Sequence, residues 1–169
     1  AEGPRNVAQT AKIAEGWLPL YYSPYRPEVY SEQLAYAPEH FEVVLNISIT
    51  VTETNSDEDL AAALLPVKGM LGFYVGGMGA KGQNYHTRLM ARMGFEEEAL
   101  RIQDLFLDGH RDEAIAAVPD LFADEISLVG TPDRIRDRLT AFEDSPVTML
   151  NVAPGTTDRL RQVAEIVLG

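Results

Sequence analysis

Three strand-like runs, Trp17–Leu20, Glu42–Thr52 and Val147–Val152, are each followed by residues of helical period, and this alternation constrains the fold more than any other feature. Strand, helix and strand in turn is the cadence of a parallel sheet with right-handed crossovers, so the expected class is α/β. Three parallel strands cannot close a barrel unaided. The middle run is the clearest, with Leu45, Ile47, Ile49 and Val51 on one face and Asn46, Ser48, Thr50 and Thr52 on the other. That second face is polar but uncharged, suited either to water or to the interior or mouth of a barrel.

Helical period fills most of the rest. Gly3-Pro4 ahead of Val7, Ala11 and Ala14 predicts a helix started by proline and stopped at Gly16. A modest helix is expected over Glu28–Tyr36, after a loop that Pro24 and Pro27 keep out of regular pairing. Asn55-Ser56-Asp57-Glu58-Asp59 caps a helix carrying Leu60, Leu64, Val67, Leu71 and Val75, with a kink or break expected near Leu65 because Pro66 follows. Its three acids suit the positive end of a helix dipole. Further helices are expected around Phe95–Phe106, Arg111–Val118, from Thr131-Pro132-Asp133 onward, and over Thr156–Leu168.

The 169 residues suffice for one domain, expected to span 1–169, with 46% apolar and 24% charged residues as in globular proteins. A formal charge of −12 repels phosphate backbones and anionic membranes, and no basic patch offsets it, so nucleic-acid and membrane partners are not expected. The uncharged stretch Gly69–Ala80 is too short and glycine-rich to span a bilayer. With no cysteine there is no disulfide, thiolate metal site or Cys nucleophile, in keeping with a reducing cytoplasm. The opening Ala1-Glu2-Gly3-Pro4-Arg5 has neither an initiator Met nor a signal-peptide pattern, which is compatible with a piece of something longer.

Candidate chemistry is sparse. Gly3, Pro4, Arg5 and Asn6 form a turn entering a helix, where free amides and the dipole favour an anion such as phosphate; the same pattern also serves as ordinary punctuation. Gly76-Gly77-Met78-Gly79-Ala80-Lys81-Gly82 is either a flexible linker or a ligand-lining loop, and lacks the Gly-Lys-Ser/Thr ending of a P-loop. His40, His86 and His110 have no metal-ligand spacing, so no metal is expected, and only His86 lies near the glycine run and aromatics. No serine sits in a Gly-x-Ser-x-Gly elbow, and no catalytic residue is assigned. Trp17, Tyr21, Tyr22 and Tyr25 cluster at the end of the first strand, either as core or as the wall of a planar ligand. The substrate-lining candidates are thus Trp17, Tyr21, Tyr22, Gly76, Gly77, Met78 and His86.

Three segments carry a resemblance: Gly3-Pro4-Arg5-Asn6-Val7-Ala8 running into Ile13-Ala14-Glu15-Gly16-Trp17-Leu18-Pro19, then Tyr74-Val75-Gly76-Gly77-Met78-Gly79, then Leu128-Val129-Gly130-Thr131-Pro132-Asp133-Arg134-Ile135. In these the chain resembles the bacterial-luciferase-like flavin and deazaflavin oxidoreductases, of the actinobacterial type that uses coenzyme F420. The resemblance implies the C-terminal half of a (β/α)₈ barrel, with the three strand runs as strands six to eight. It also implies that Gly3, Pro4, Arg5 and Asn6 hold the phosphate of coenzyme F420, with FMN as the alternative, for hydride transfer to or from a small organic substrate. Residues that set the cofactor ring would come largely from the first half of the barrel. The implied partner is that first half or a second copy in a homodimer. A non-catalytic half-barrel that dimerises is the competing expectation.

Overall fold

A computed structural model describes residues 1–153 and 155–169. Helix α1 (Pro4–Ile13) leads into β1 (Gly16–Trp17), α2 (Glu28–Leu34), β2 (Glu42–Asn46) and β3 (Ser48–Val51). A helical excursion follows: α3 (Asp57–Gly77), α4 (Tyr85–Arg92), α5 (Glu96–Leu107), α6 (Arg111–Ala116) and α7 (Asp120–Glu125). The chain returns through β4 (Ser127–Gly130), α8 (Pro132–Glu143), β5 (Met149–Asn151) and α9 (Thr157–Leu168).

All the pairing is parallel, as the strand–helix cadence requires. β2 lies between β1 and β5, with Trp17 opposite Val43 and Leu45 opposite Leu150. β3 takes up where β2 ends and pairs with β4, Ser48 opposite Ser127 and Val51 opposite Gly130. The alternating residues Val43, Leu45 and Ile47 are buried beneath the helices. Asn46 and Ser48 face the open side, where Asn151 Nδ2 donates to Asn46 Oδ1 at 2.7 Å.

Several elements differ from the sequence reading, each for a physical reason. The first strand is Gly16–Trp17 rather than Trp17–Leu20, because Pro19 has no donor and the Leu20 amide is taken by Glu2 Oε1 at 2.7 Å. Gly16 does more than stop a helix: a Cβ there would lie 2.7 Å from the Glu42 carbonyl oxygen, so glycine permits the close approach of β1 to β2. The run 42–52 is interrupted at Ile47, whose amide goes to the Asn151 carbonyl. The last strand is shortened to Met149–Asn151. β4 was not expected as a strand, since its four residues are all buried and show no alternation.

Helix α3 runs unbroken through Pro66, so the break that was one of the two expectations near Leu65 does not occur. The ring removes only the bond to the Ala62 carbonyl, and Ala62 is exposed, so water can satisfy that oxygen. Ser56 caps the helix by accepting from the Asp59 amide, with Asp57, Glu58 and Asp59 in its first turn. By length and composition α3 could cross a bilayer, contrary to the sequence reading. One face of it, Leu64, Val67, Leu71 and Val75, is instead buried in the bundle formed with α4 to α7.

Candidate cofactor-binding site

The N-terminus of α1 is an open amide cradle. Gly3 is its N-cap and offers no side-chain cap, Pro4 has no N–H, and the first intrahelical bond runs from the Val7 amide to the Gly3 carbonyl. This leaves the amides of Arg5 and Asn6 without helical partners, on residues that are both exposed. A Cβ on Gly3 would meet the Tyr85 ring at the start of α4 at 3.4 Å, an ordinary contact distance, so the cradle lies against α4. Two bonds fasten the segment just before it: Trp17 Nε1 donates to the Ala1 carbonyl at 2.8 Å, and Leu20 N to Glu2 Oε1. Together they place the cradle beside the loop leaving the C-terminal end of β1. In a parallel α/β fold, ligands lie at that end.

Glu2 is a member of this site that the sequence reading passed over. Its Oε2 is buried without a partner, and burial raises its pKa despite the Leu20 hydrogen bond and the charges of the N-terminus and Arg92. The signal was an acid immediately ahead of Gly3-Pro4, where a free carboxylate competes with an incoming anion.

The aromatic candidates divide. Trp17 and Tyr22 are almost fully buried and pack on Tyr30, Trp17 edge-on at 4.9 Å and Tyr22 stacked at 5.4 Å. Tyr21 points toward α4, donates its hydroxyl to the His86 carbonyl at 3.0 Å and lies edge-on to Phe122. His86 packs between Tyr21 and Tyr74, with Nδ1 buried and unpartnered, and burial lowers its pKa so that the neutral imidazole is favoured. Tyr21 and His86 are therefore brought together near the cradle, while Trp17 and Tyr22 support them from the core.

Gly76 and Gly77 lie in the last turn of α3, where a Cβ on either would come within 2.4 Å of the Phe106 side chain of α5. Here glycine serves close helix packing, a use that the sequence reading did not foresee. Met78 caps the helix and is half exposed. The turn beyond it is fastened by Asn84, whose Nδ2 donates to the Tyr74 and Val75 carbonyls while Oδ1 accepts from the His86 amide. Among the described residues no group of three or more His, Asp or Glu side chains converges as metal ligands would.

The Leu128–Ile135 segment closes the excursion. Gly130 has φ +134°, and a Cβ there would strike Arg134 Cδ at 2.5 Å. Asn55 and Thr131 exchange two hydrogen bonds across the neck, and Arg134 grips both carboxylate oxygens of Asp124. A second clasp joins the aromatic loop to α7: Arg26 makes a bidentate pair with Glu125 at 2.7 and 2.8 Å, and Ser23 Oγ also donates to Glu125.

Parallel strands linked by helices, with a large helical excursion between β3 and β4, place the fold in the α/β-barrel class. Residues 1–149 match the luciferase-like monooxygenase family, and the chain belongs to that family. It is 35% identical over 176 residues to a Mycobacterium tuberculosis protein named "Putative coenzyme F420-dependent oxidoreductase Rv3520c", covering 99% of this chain and 49% of that one. Its fold matches the coenzyme F420-dependent tetrahydromethanopterin reductase of Methanopyrus kandleri with a TM-score of 0.65 at 21% identity, over 99% of this chain and 47% of the reductase. The chain spans about half the length of these relatives.

Proposed function

We propose that this chain supplies the phosphate-holding half of a coenzyme F420-dependent oxidoreductase acting on a small organic substrate in the cytoplasm. The observation that carries this reading is the uncapped, exposed N-terminus of α1 at the strand ends, in a chain whose relatives bear coenzyme F420-dependent names. Gly3 leaves room for the phosphate, the Arg5 and Asn6 amides donate to it, and the Arg5 guanidinium adds charge nearby. Tyr21 and His86 are proposed to line the route from that anchor toward the reacting ring, with Gly76, Gly77 and Met78 behind them. When bound, the cofactor supplies the hydride chemistry; the protein's part is to orient it and exclude water.

Residues 1–169 are proposed to act as one unit whose missing wall comes from the first half of a barrel. Hydride transfer depends on near-attack geometry, and loss of one wall forfeits much of an effective molarity of about 10⁵ M or more. The chain alone is therefore expected to bind the cofactor but not turn it over at an enzyme-like rate. Absorbance titrations with coenzyme F420 and FMN, each competed with inorganic phosphate, test this reading. Saturable F420 binding weakened by phosphate supports it, and no binding of either cofactor overturns it.

A second reading, a non-catalytic half-barrel, is favoured by the unpaired outer edges of β1 and β5 among the described residues. Adding a polypeptide that carries the first half of the barrel separates the two: gain of cofactor oxidation supports the enzyme, and assembly without activity the half-barrel.

A further inference from the structure

Charge is unevenly distributed along this acidic chain. Acids outnumber bases 26 to 14, yet no Asp or Glu occurs between Gly3 and Ala14 or between Leu60 and Phe95. The first stretch is the cradle and α1; the second includes α3, the glycine turn and α4, and the two stretches meet where Gly3 lies against the Tyr85 ring. Of the bases they carry, Lys68 and Lys81 are each held by a carboxylate of another element, Asp120 at 2.7 Å and Asp104 at 2.5 Å, and Lys12 lies over the Tyr36 ring. Arg5, Arg88 and Arg92 are exposed and form no salt bridge among the described residues. Arg88 and Arg92 stand one turn apart on α4 and so share a face, with Tyr85 one turn before Arg88. Arg88 is held in place by donating to the Gly82 carbonyl and by lying over the Tyr85 ring at 6.0 Å. The charge of Arg92 reaches the Glu2 carboxyl beside the cradle, whose Oε1 is already taken by the Leu20 amide.

We propose that the seam between α1 and α4 binds a ligand that carries a chain of anionic groups, a phosphate on the Arg5 and Asn6 amides and further anions on the Arg88 and Arg92 guanidiniums. In a chain with carboxylates to spare, three unpaired guanidiniums at one seam form a local positive field that draws anions. The planar guanidinium fork suits phosphate and carboxylate alike. From Tyr85 to Arg92 the helix rises about 10 Å, a span that an extended tail of three residues covers. The proposal rests on the reading of the cradle as a phosphate site and adds that the ligand continues from that phosphate as a polyanion along α4.

Two synthetic peptides test it: acetylated phosphoserine followed by three glutamates or by three glutamines, both amidated at the end. Titrated at low salt and followed by amide chemical shifts, the glutamate peptide should bind about fivefold more tightly, as two exposed charge pairs allow. The difference should fade at high salt. In Arg88→Gln/Arg92→Gln the two peptides should bind equally, while inorganic phosphate still shifts Gly3, Arg5 and Asn6 as in the wild type. Arg88→Lys/Arg92→Lys keeps both charges and should keep part of the preference. Arg136→Gln/Arg161→Gln makes the same change in net charge on α8 and α9 and should keep all of it. Equal affinities in the wild type, or a preference that survives Arg88→Gln/Arg92→Gln, would overturn the proposal, and the cradle reading would still stand if phosphate shifts the α1 amides. Failure of phosphate and of both peptides to move those amides would overturn the cradle reading and this proposal with it.

Discussion

The helical excursion and the sheet that carries it are stabilised in different ways. In the excursion, Leu71, Val75, Leu89, Met90, Ala99, Ile102, Ala114 and Phe122 are all sealed from solvent. The sheet is built from strands of two to five residues, and on β5 Met149 is 52% exposed. A buried apolar side chain contributes roughly 1.5–3 kcal/mol, whereas an exposed strand residue adds little. The excursion's sealed residues belong to one apolar cluster that also takes in Val43, Leu45 and Ile47 of the sheet, while the outer strand β5 presents exposed residues and an edge on which further structure can be built. The proposed binding site lies along the seam: Tyr21 and the cradle come from the sheet side, His86 and Tyr85 from the excursion.

This contrast is open to direct attack. The largest loss is expected from Phe122→Ala, which empties a sealed position touching both Tyr21 and Phe95, at about 4 kcal/mol. Leu150→Ala on β5 should cost about 1 kcal/mol or less, and equal losses in chemical denaturation would remove the distinction. Glu125→Ala comes next at about 3 kcal/mol, because Arg26 and Ser23 lose their shared partner and the aromatic loop its tie to α7. Its denaturation midpoint should fall, and the fluorescence of Trp17 should report a loosened loop. A loss confined to a few tenths of a kcal/mol would mean that the clasp holds nothing. Asn84→Ala removes one helix cap and the donor to two carbonyls, for about 2 kcal/mol. It should also release the turn after Met78, seen as faster amide exchange from Gly79 to Gln83.

The smallest effect concerns Glu2. Its folded pKa lies above the unfolded value, so its contribution to stability is fully present below the unfolded pKa and is lost as pH rises through the folded one. Glu2→Gln keeps the acceptor for Leu20 without the buried charge. It should raise the melting temperature by about 2 °C at neutral pH and leave it unchanged near pH 3. A gain of the same size at both pH values would show that ionisation is not the cause.

The parallel arrangement was legible because each apolar run was followed by helical spacing, and the polar alternation of Asn46 and Ser48 marked the open face. β4 was not legible, since four consecutive buried residues have no period and Gly130 reads as a loop. Whether Pro66 would break its helix was not legible, because the cost depends on whether water can reach the freed carbonyl, which only tertiary placement settles. Gly76 and Gly77 misled: density of glycine suggested freedom, whereas Phe106, about thirty residues on, requires the missing side chains. For the candidate site, the sequence pointed to Gly3–Asn6 through the Gly-Pro entry to a helix. It could not reveal Arg26 or Glu125, whose roles arise from partners 99 to 102 residues distant.

The account rests on the amides at the start of α1. Amide chemical shifts in a ¹⁵N-labelled sample, followed while coenzyme F420 is added, test it directly. The account predicts that Gly3, Arg5 and Asn6 shift most and saturate together, and that Gly3→Asp, whose carboxylate caps those amides itself, abolishes the shifts while leaving the fold at least as stable. Saturable shifts centred elsewhere, with Gly3, Arg5 and Asn6 unmoved, would contradict it.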